Sequence, residues 1–87
     1  MFKIKAPDGT NNICGKNLIR LRENHVPPLS QRGLARLLQI NGYDVDHHFI
    51  RRVENGERFV TDIEILMLAR TLNVALEVFF VYEHDME

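Results

Sequence analysis

The sequence has one cysteine, no tryptophan, five glycines and three prolines among its 87 residues. The lone Cys14 excludes an intramolecular disulfide, and no Cys/His pair has the spacing of a zinc finger. So few glycines and prolines argue against a turn-rich, all-β fold. The longest uncharged apolar run, residues 78–82, is far too short to span a bilayer, and no secretory signal pattern is present. We therefore expect a protein of the reduced cytoplasm that does not associate with a membrane.

Apolar residues make up 45% of the chain and charged residues 26%, the balance of one small globular domain. The net charge is −1, but its distribution is uneven. Before residue 59 the chain has ten Lys/Arg against six Asp/Glu, and from residue 59 onward it has one against six. Such a domain presents a basic face to an anion while staying almost neutral overall. The alternative is that this uneven distribution of charged residues arises by chance and has no functional meaning.

The apolar periodicity predicts short helices and no internal repeat. Residues 1–12 lack a sustained period and are interpreted as a flexible arm, residues 13–82 as the folded domain, and residues 83–87 as an acidic tail. The spacing of Cys14, Leu18 and Leu21 predicts helix 1 over about 13–24. Helix 2 is predicted over about 31–41, with Ser30 as its N-cap.

Two further helices are predicted from their capping residues. Helix 3 begins after the cap Asp46 and ends at Asn55 and Gly56. Helix 4 begins at Thr61 and Glu64, which have the spacing of a capping box. Its predicted buried stripe consists of Ile65, Leu66, Ala69 and Leu72.

A short apolar segment at residues 76–80 predicts a fifth helix, and the expected fold is therefore all-α with five helices. The alternative for this segment is a strand, because the sequence VFFVY has a strong β preference.

Two stretches, LSQRGLARLL from residue 29 and VDHHFIRRVENGER from residue 45, resemble the lambda-repressor-like helix-turn-helix family, often called the XRE family. The matching residues of helices 2 and 3 are Ser30, Gln31, Leu34, Ala35, Ile50, Val53, Glu54, Asn55 and Gly56. Further matches lie upstream at Gly15, Lys16, Leu21, Arg22 and Glu23, and downstream at Leu66, Ala69, Leu72, Asn73 and Val74. The resemblance covers about residues 13–80. It implies a DNA-binding domain in which helix 3 lies in the major groove while helix 2 crosses the backbone.

The chain departs from the family pattern in two connections. The one between helices 2 and 3, near QINGYD, is several residues longer than usual, and the linker HVPP between helices 1 and 2 is also longer. A similar long turn, followed by a stretch like that from Arg58 to Asp62, occurs in a subgroup of bacterial regulators. The longer turn affects how helix 3 meets the groove.

The resemblance implies base contacts from His47, His48 and Arg52, near the start of the recognition helix. Arginine binds guanine O6 and N7 with two hydrogen bonds, and histidine donates to the same acceptors. If the long turn rotates helix 3, Phe49 or Arg51 would reach the bases instead. The alternatives are that the polar side chains are merely solvated and that Phe49 packs against the turn.

Phosphate contacts are expected from residues that flank the recognition helix. Gln31 resembles the family glutamine that binds a phosphate, at a helix start where free N–H groups favour an anion. Asn55 and Arg58, past the end of helix 3, are the other candidates. The alternative for Gln31 is that it only completes the cap of helix 2 with Ser30.

Two pairs of residues have implied structural roles. In the family, the positions of Arg22 and Glu54 form an ion pair inside the domain, which would orient helix 3. The alternative is that the two charges are exposed and contribute little to stability.

The family usually binds DNA as two-fold dimers, so Val78 or Phe80 is expected in a homodimer interface. The alternative is that both only complete the core.

No catalytic motif accompanies these features. The set Asp44, Asp46, His47 and His48 lacks the helical spacing of metal ligands, and no nucleophile set or phosphate loop is present. We therefore expect no enzyme activity, metal or cofactor.

The expected function is that of a sequence-specific transcriptional regulator of bacterial or phage type, which binds palindromic double-stranded DNA as a dimer. The alternative is an antitoxin or other interaction module that masks a partner protein, and a regulatory protein partner fits either function.

Overall fold

A computed structural model describes residues 4–82, which form four α-helices and a final 3₁₀ helix. The α-helices are α1 (Gly15–Glu23), α2 (Gln31–Ile40), α3 (His47–Glu54) and α4 (Asp62–Leu72). The 3₁₀ helix covers Leu76–Phe80. Residues 4–82 contain no strand, so the all-α class is confirmed. The expected fifth helix is a 3₁₀ helix of five residues with no side-chain cap, a geometry typical of short segments. The predicted acidic tail, 83–87, lies outside the described residues.

The predicted N-caps of three helices are confirmed, and each satisfies backbone N–H groups that a helix start leaves free. Ser30 Oγ accepts a hydrogen bond of 2.9 Å from the backbone N–H of Gly33. Asp46 caps α3, and Thr61 with Glu64 forms the capping box of α4. The starts of α2, α3 and α4 are therefore determined by local sequence.

The core is a single cluster built from all five helices. Its fully buried side chains include Leu18, Leu34, Leu38, Ile50, Val53, Leu68 and Phe79. The predicted stripe of α4 was partly wrong: Met67 and Leu68 are buried, whereas Leu66 is 37% exposed. Because α4 packs against both α2 and the 3₁₀ helix, its buried face is shifted relative to the predicted stripe.

Burial raises the pKa of the Cys14 thiol to about 11, so this thiol stays protonated at neutral pH.

The N-terminal segment differs from the flexible arm that the sequence predicted. Residues 1–3 lie outside the described residues, but residues 6–12 form a hydrogen-bonded turn docked on the end of α3. Asn11 N–H donates to the Gly56 carbonyl at 2.8 Å. The Asn12 amide donates to the carbonyls of Val53 and Arg58, and its oxygen accepts from Gly15 N–H. The Val53 carbonyl belongs to the last turn of α3, and the Gly56 and Arg58 carbonyls lie just past its end.

Two glycines permit close approaches around the end of α3. A Cβ atom on Gly15 would lie 2.2 Å from the carbonyl oxygen of Val53, so the start of α1 meets α3 backbone to backbone. Gly56 has a φ of +80°, and a Cβ there would lie 2.7 Å from Thr10 Cγ2. The close approach of α1 to α3 thus depends on Gly15, and the docking of the N-terminal segment depends on Gly56.

No helix within residues 4–82 is long and apolar enough to cross a bilayer.

Candidate DNA-binding surface

The recognition helix predicted from the sequence, α3, has one buried and one exposed face. Phe49, Ile50, Val53 and Glu54 face the interior. The residues that face away from it are His47, His48, Arg51, Arg52 and Asn55, and we call this set the α3 outer face. His47 is half-buried and the other four are exposed. The helix spacing therefore places all three predicted base-contacting residues on one surface.

The start of α3 is fixed by its cap. Asp46 Oδ1 accepts hydrogen bonds from the backbone N–H groups of His48 at 3.0 Å and Phe49 at 3.2 Å. These bonds lower the pKa of the Asp46 carboxyl, so it is ionised at neutral pH. The two histidine rings that follow lie 4.1 Å apart between centroids, with an angle of 34° between their planes. The cap thus orients the first two side chains of the outer face together.

Two arginines of α2 extend this surface, and the sequence interpretation did not include them. Arg32 and Arg36 line a shallow cleft with Gln39, Asp46 and His47, of which only Asp46 is acidic. Partial loss of hydration lowers the pKa of His47, and the nearby positive charge of Arg32 lowers it further. The spacing of the two exposed arginines, four residues apart on a helix that precedes the turn, was the signal in the sequence.

A buried ion pair holds α3 on its inward face. Arg22 Nε and Nη2 donate to Glu54 at 2.8 and 3.0 Å, and the two side chains are only 14% and 5% exposed. Arg22 Nη1 also donates to the Leu29 carbonyl at 2.9 Å. The bond to Glu54 raises the pKa of Arg22. The structure thus brings these two residues together in a bidentate pair that connects α1, the following linker and α3.

Gln31 takes part in the same network. Its amide nitrogen donates to Glu54 Oε1 at 2.8 Å, which leaves one amide hydrogen and its backbone N–H for a phosphate. Ser30, and not Gln31, supplies the side-chain cap of α2. The predicted phosphate contact of Gln31 therefore stays a prediction, and the side chain has an internal partner as well.

The remaining predicted contact residues lie in different surroundings. Asn55 is exposed at the end of α3, where its amide donates to Glu57 at 3.2 Å. Phe49 is 9% exposed and packs in the core, so its possible base contact is corrected: its side chain lies on the inward face of α3, where Tyr43 and Val45 of the turn also pack. Arg58 covers the Phe49 ring and forms an ion pair with Glu64. Its guanidinium thus has two partners within the protein while the side chain is 37% exposed, and the expected phosphate contact of Arg58 stays a prediction at this point.

The two residues expected in a dimer interface differ in exposure. Val78 is half-buried and packs against the core, whereas Phe80 is 51% exposed. Phe80 lies beside three other exposed apolar residues of α4 and the 3₁₀ helix. We call Ile63, Leu66, Leu76 and Phe80 the apolar patch.

No group of three or more His, Cys, Asp or Glu side chains within residues 4–82 is arranged to hold a metal ion.

The arrangement of α2 and α3, with a longer connection than a tight turn, defines a helix-turn-helix protein. No protein-family model and no curated protein matches the chain. Among solved structures, the chain is similar to the restriction-modification controller protein C.AhdI from Aeromonas hydrophila, known from a high-resolution crystal structure. The two are 33% identical with a TM-score of 0.63, over 77% of this chain and 87% of the controller. The chain belongs to the family of helix-turn-helix regulators that includes this controller.

Replacing Glu54 with Gln tests the buried ion pair. Glu54→Gln leaves the Arg22 charge without its partner in a site of low exposure, so the free energy of unfolding should fall by about 3–5 kcal/mol. Denaturant unfolding measures this loss. The matched control is Glu77→Gln, an exposed carboxylate of the 3₁₀ helix, where the change should stay within about 0.5 kcal/mol. Equal midpoints for Glu54→Gln and the wild type would show that the pair does not stabilise the fold.

Proposed function

We propose that the chain is a transcriptional regulator that binds double-stranded DNA in a sequence-specific manner through the α3 outer face. The observation that carries the proposal is the composition of this face. It combines two histidines, two arginines and an asparagine, all able to donate hydrogen bonds to base edges or phosphates. The helix that bears them is held from behind by a buried ion pair, which leaves its outer side free.

The cleft between α2 and α3 supports the same function through its charge. Arg32 and Arg36 continue the basic surface beyond the α3 outer face. Helix 2 of a helix-turn-helix crosses the DNA backbone while helix 3 lies in the groove. We therefore propose that His47, His48 and Arg52 contact bases, with Arg51 beside them. Arg32 and Arg36 would bind phosphates, together with Gln31 and Asn55.

The apolar patch supports a dimer. Its four members are between 37% and 74% exposed, and large exposed apolar patches mark interaction surfaces. A second copy of the chain is the occupant we propose, because one patch paired with itself by two-fold symmetry buries both. The two α3 outer faces would then read half-sites of a palindrome about 34–36 Å apart, one DNA turn.

The similar protein is a restriction-modification controller, which supports a more specific proposal. The genes regulated by this chain would be those of a restriction-modification system.

Replacing Arg52 tests base reading. In-vitro selection from random duplexes identifies the sequence that the protein prefers, which we call the selected duplex. A scrambled duplex of the same base composition is the comparison. Arg52→Ala should weaken binding to the selected duplex by about 1–3 kcal/mol, because a base contact is lost, and should change binding to the scrambled duplex little. Titrations of both duplexes at one salt concentration measure the difference.

The matched control is Arg70→Ala, which removes the same charge from α4. Arg70 is exposed on the side of α4 that bears Ile63 and Leu66, so sedimentation first checks that the variant is still a dimer; both affinities should then stay unchanged, because Arg70 lies on neither α2 nor α3. Equal weakening of both duplexes by Arg52→Ala would contradict base reading by Arg52. A wild type that binds neither duplex at low salt would contradict the proposed function.

Placing a charge in the apolar patch tests the dimer. Leu66→Glu puts a carboxylate into the proposed interface, and its desolvation cost should convert the protein to a monomer in sedimentation experiments. Val26→Glu adds the same charge at an apolar position that is 89% exposed and lies outside the patch, so this variant should remain dimeric. A monomeric wild type at high micromolar concentration would contradict the dimer and leave the patch free for a different protein.

A further inference from the structure

Arg58 lies between the recognition helix and α4. Its Cζ atom is 4.9 Å from the centroid of the Phe49 ring, and its Nη2 forms an ion pair with the Glu64 carboxylate. Phe49 belongs to the first turn of α3. A guanidinium over an aromatic face is attracted by the negative potential that the ring quadrupole creates there. Arg58 therefore connects the first turn of α3 to α4 through two different interactions.

Glu64 is itself held in place by the start of α4. Its Oε1 accepts from Thr61 N–H at 2.9 Å as part of the capping box, while Oε2 accepts from Arg58. Burial raises the pKa of the Glu64 carboxyl, but these hydrogen bonds outweigh burial and lower it overall. The carboxyl is thus ionised at neutral pH and presents a fixed negative charge to Arg58.

Arg58 contacts the start of α3 in addition to the cap that Asp46 provides. Residues 41–46 separate α2 from α3, and this segment is held to α2 by a bond of 2.8 Å from the Gln39 amide to the Val45 carbonyl. The Arg22–Glu54 ion pair acts at the far end of α3. At the near end, Phe49 packs in the core and Arg58 covers its ring.

The charges around Arg58 disfavour a phosphate contact. Asp44, Asp46 and Glu64 line the same depression as Arg58, and three carboxylates would repel a phosphate. The Nε atom of Arg58 is buried, beyond the reach of a phosphate oxygen. By contrast, only one acidic residue, Asp46, lines the cleft with Arg32 and Arg36.

We propose that Arg58 is a positioning residue for sequence reading: it fixes the first turn of α3 by covering Phe49 while Glu64 holds it, and it does not bind phosphate. This inference rests on the proposed DNA-binding function. It assigns sequence discrimination to a side chain that touches no base, because His47 and His48 lie in the same turn as Phe49. A shift of that turn would move both histidines relative to the base edges.

Four variants separate positioning from phosphate binding: Arg58→Ala, Glu64→Gln, Arg36→Ala and Thr61→Ala. Each is titrated against the selected and the scrambled duplex over a series of salt concentrations. Arg58→Ala should lose about 5- to 150-fold in affinity for the selected duplex, the discrimination of one base contact, and little for the scrambled duplex. Its salt dependence should equal that of the wild type, because no phosphate contact is lost.

Arg36→Ala is the reference for a phosphate ligand: it should weaken both duplexes by a similar factor and lower the salt slope by about one. Glu64→Gln should also lower the affinity for the selected duplex more than that for the scrambled duplex. This variant replaces Arg58→Ala in the test if Arg58→Ala does not fold. Thr61→Ala weakens the cap of α4 but keeps the Arg58–Glu64 pair, so it should lower stability without changing the ratio of the two affinities.

Three results would overturn the inference. Arg58→Ala with a reduced salt slope and equal losses on both duplexes would make Arg58 a phosphate ligand. A loss of discrimination in Thr61→Ala equal to that in Arg58→Ala would show a general effect of stability. An unchanged affinity ratio in both Arg58→Ala and Glu64→Gln would leave Arg58 without a positioning role. By contrast, a wild type without sequence preference would refute the proposed function itself.

Discussion

The orientation of α3 depends first on one carboxylate. Glu54 faces the interior near the end of the helix, where it accepts two hydrogen bonds from Arg22 and one from Gln31. Arg22 in turn holds the Leu29 carbonyl. Because these partners belong to α1, the linker and the start of α2, a rotation of α3 would break several bonds to charged groups at once. Such bonds are stronger than neutral ones and demand a defined geometry.

The exposed side of α3 is a consequence of this internal arrangement. The backbone of α1 meets the end of α3 at Gly15, and the N-terminal segment covers the same end through Asn11 and Asn12. Core packing of Phe49 holds the beginning. With both ends held, the polar side chains outside are presented on a rigid helix. A rigid support favours recognition, because less conformational freedom is lost on binding.

The sequence predicted the parts of the structure that depend on local interactions. Ser30, Asp46 and Thr61 cap their helices because their side chains reach N–H groups two or three residues away. The resemblance to the family predicted the Arg22–Glu54 ion pair, whose two residues are 32 positions apart in the sequence. The resemblance also implied His47, His48 and Arg52 as members of one exposed surface, and helical spacing explains why they share it.

The features that the sequence did not predict depend on tertiary contacts. Asn12 binds backbone carbonyls more than 40 residues away, and no periodicity indicates such a bond. The partners of Arg58 are a ring and a carboxylate in two different helices, so a basic residue near the recognition helix was interpreted as a phosphate ligand. The spacing of Arg32 and Arg36 indicates a shared helix side, but only the cleft between α2 and α3 shows that this side adjoins the α3 outer face.

An NMR titration of the ¹⁵N-labelled protein with the selected duplex tests directly whether α3 contacts DNA. The largest shift changes should occur in the α3 outer face and in the Arg32 and Arg36 side chains, while the apolar patch should change little. Shift changes concentrated on α4 and the 3₁₀ helix, with α3 unaffected, would contradict the claim that this protein reads DNA through α3.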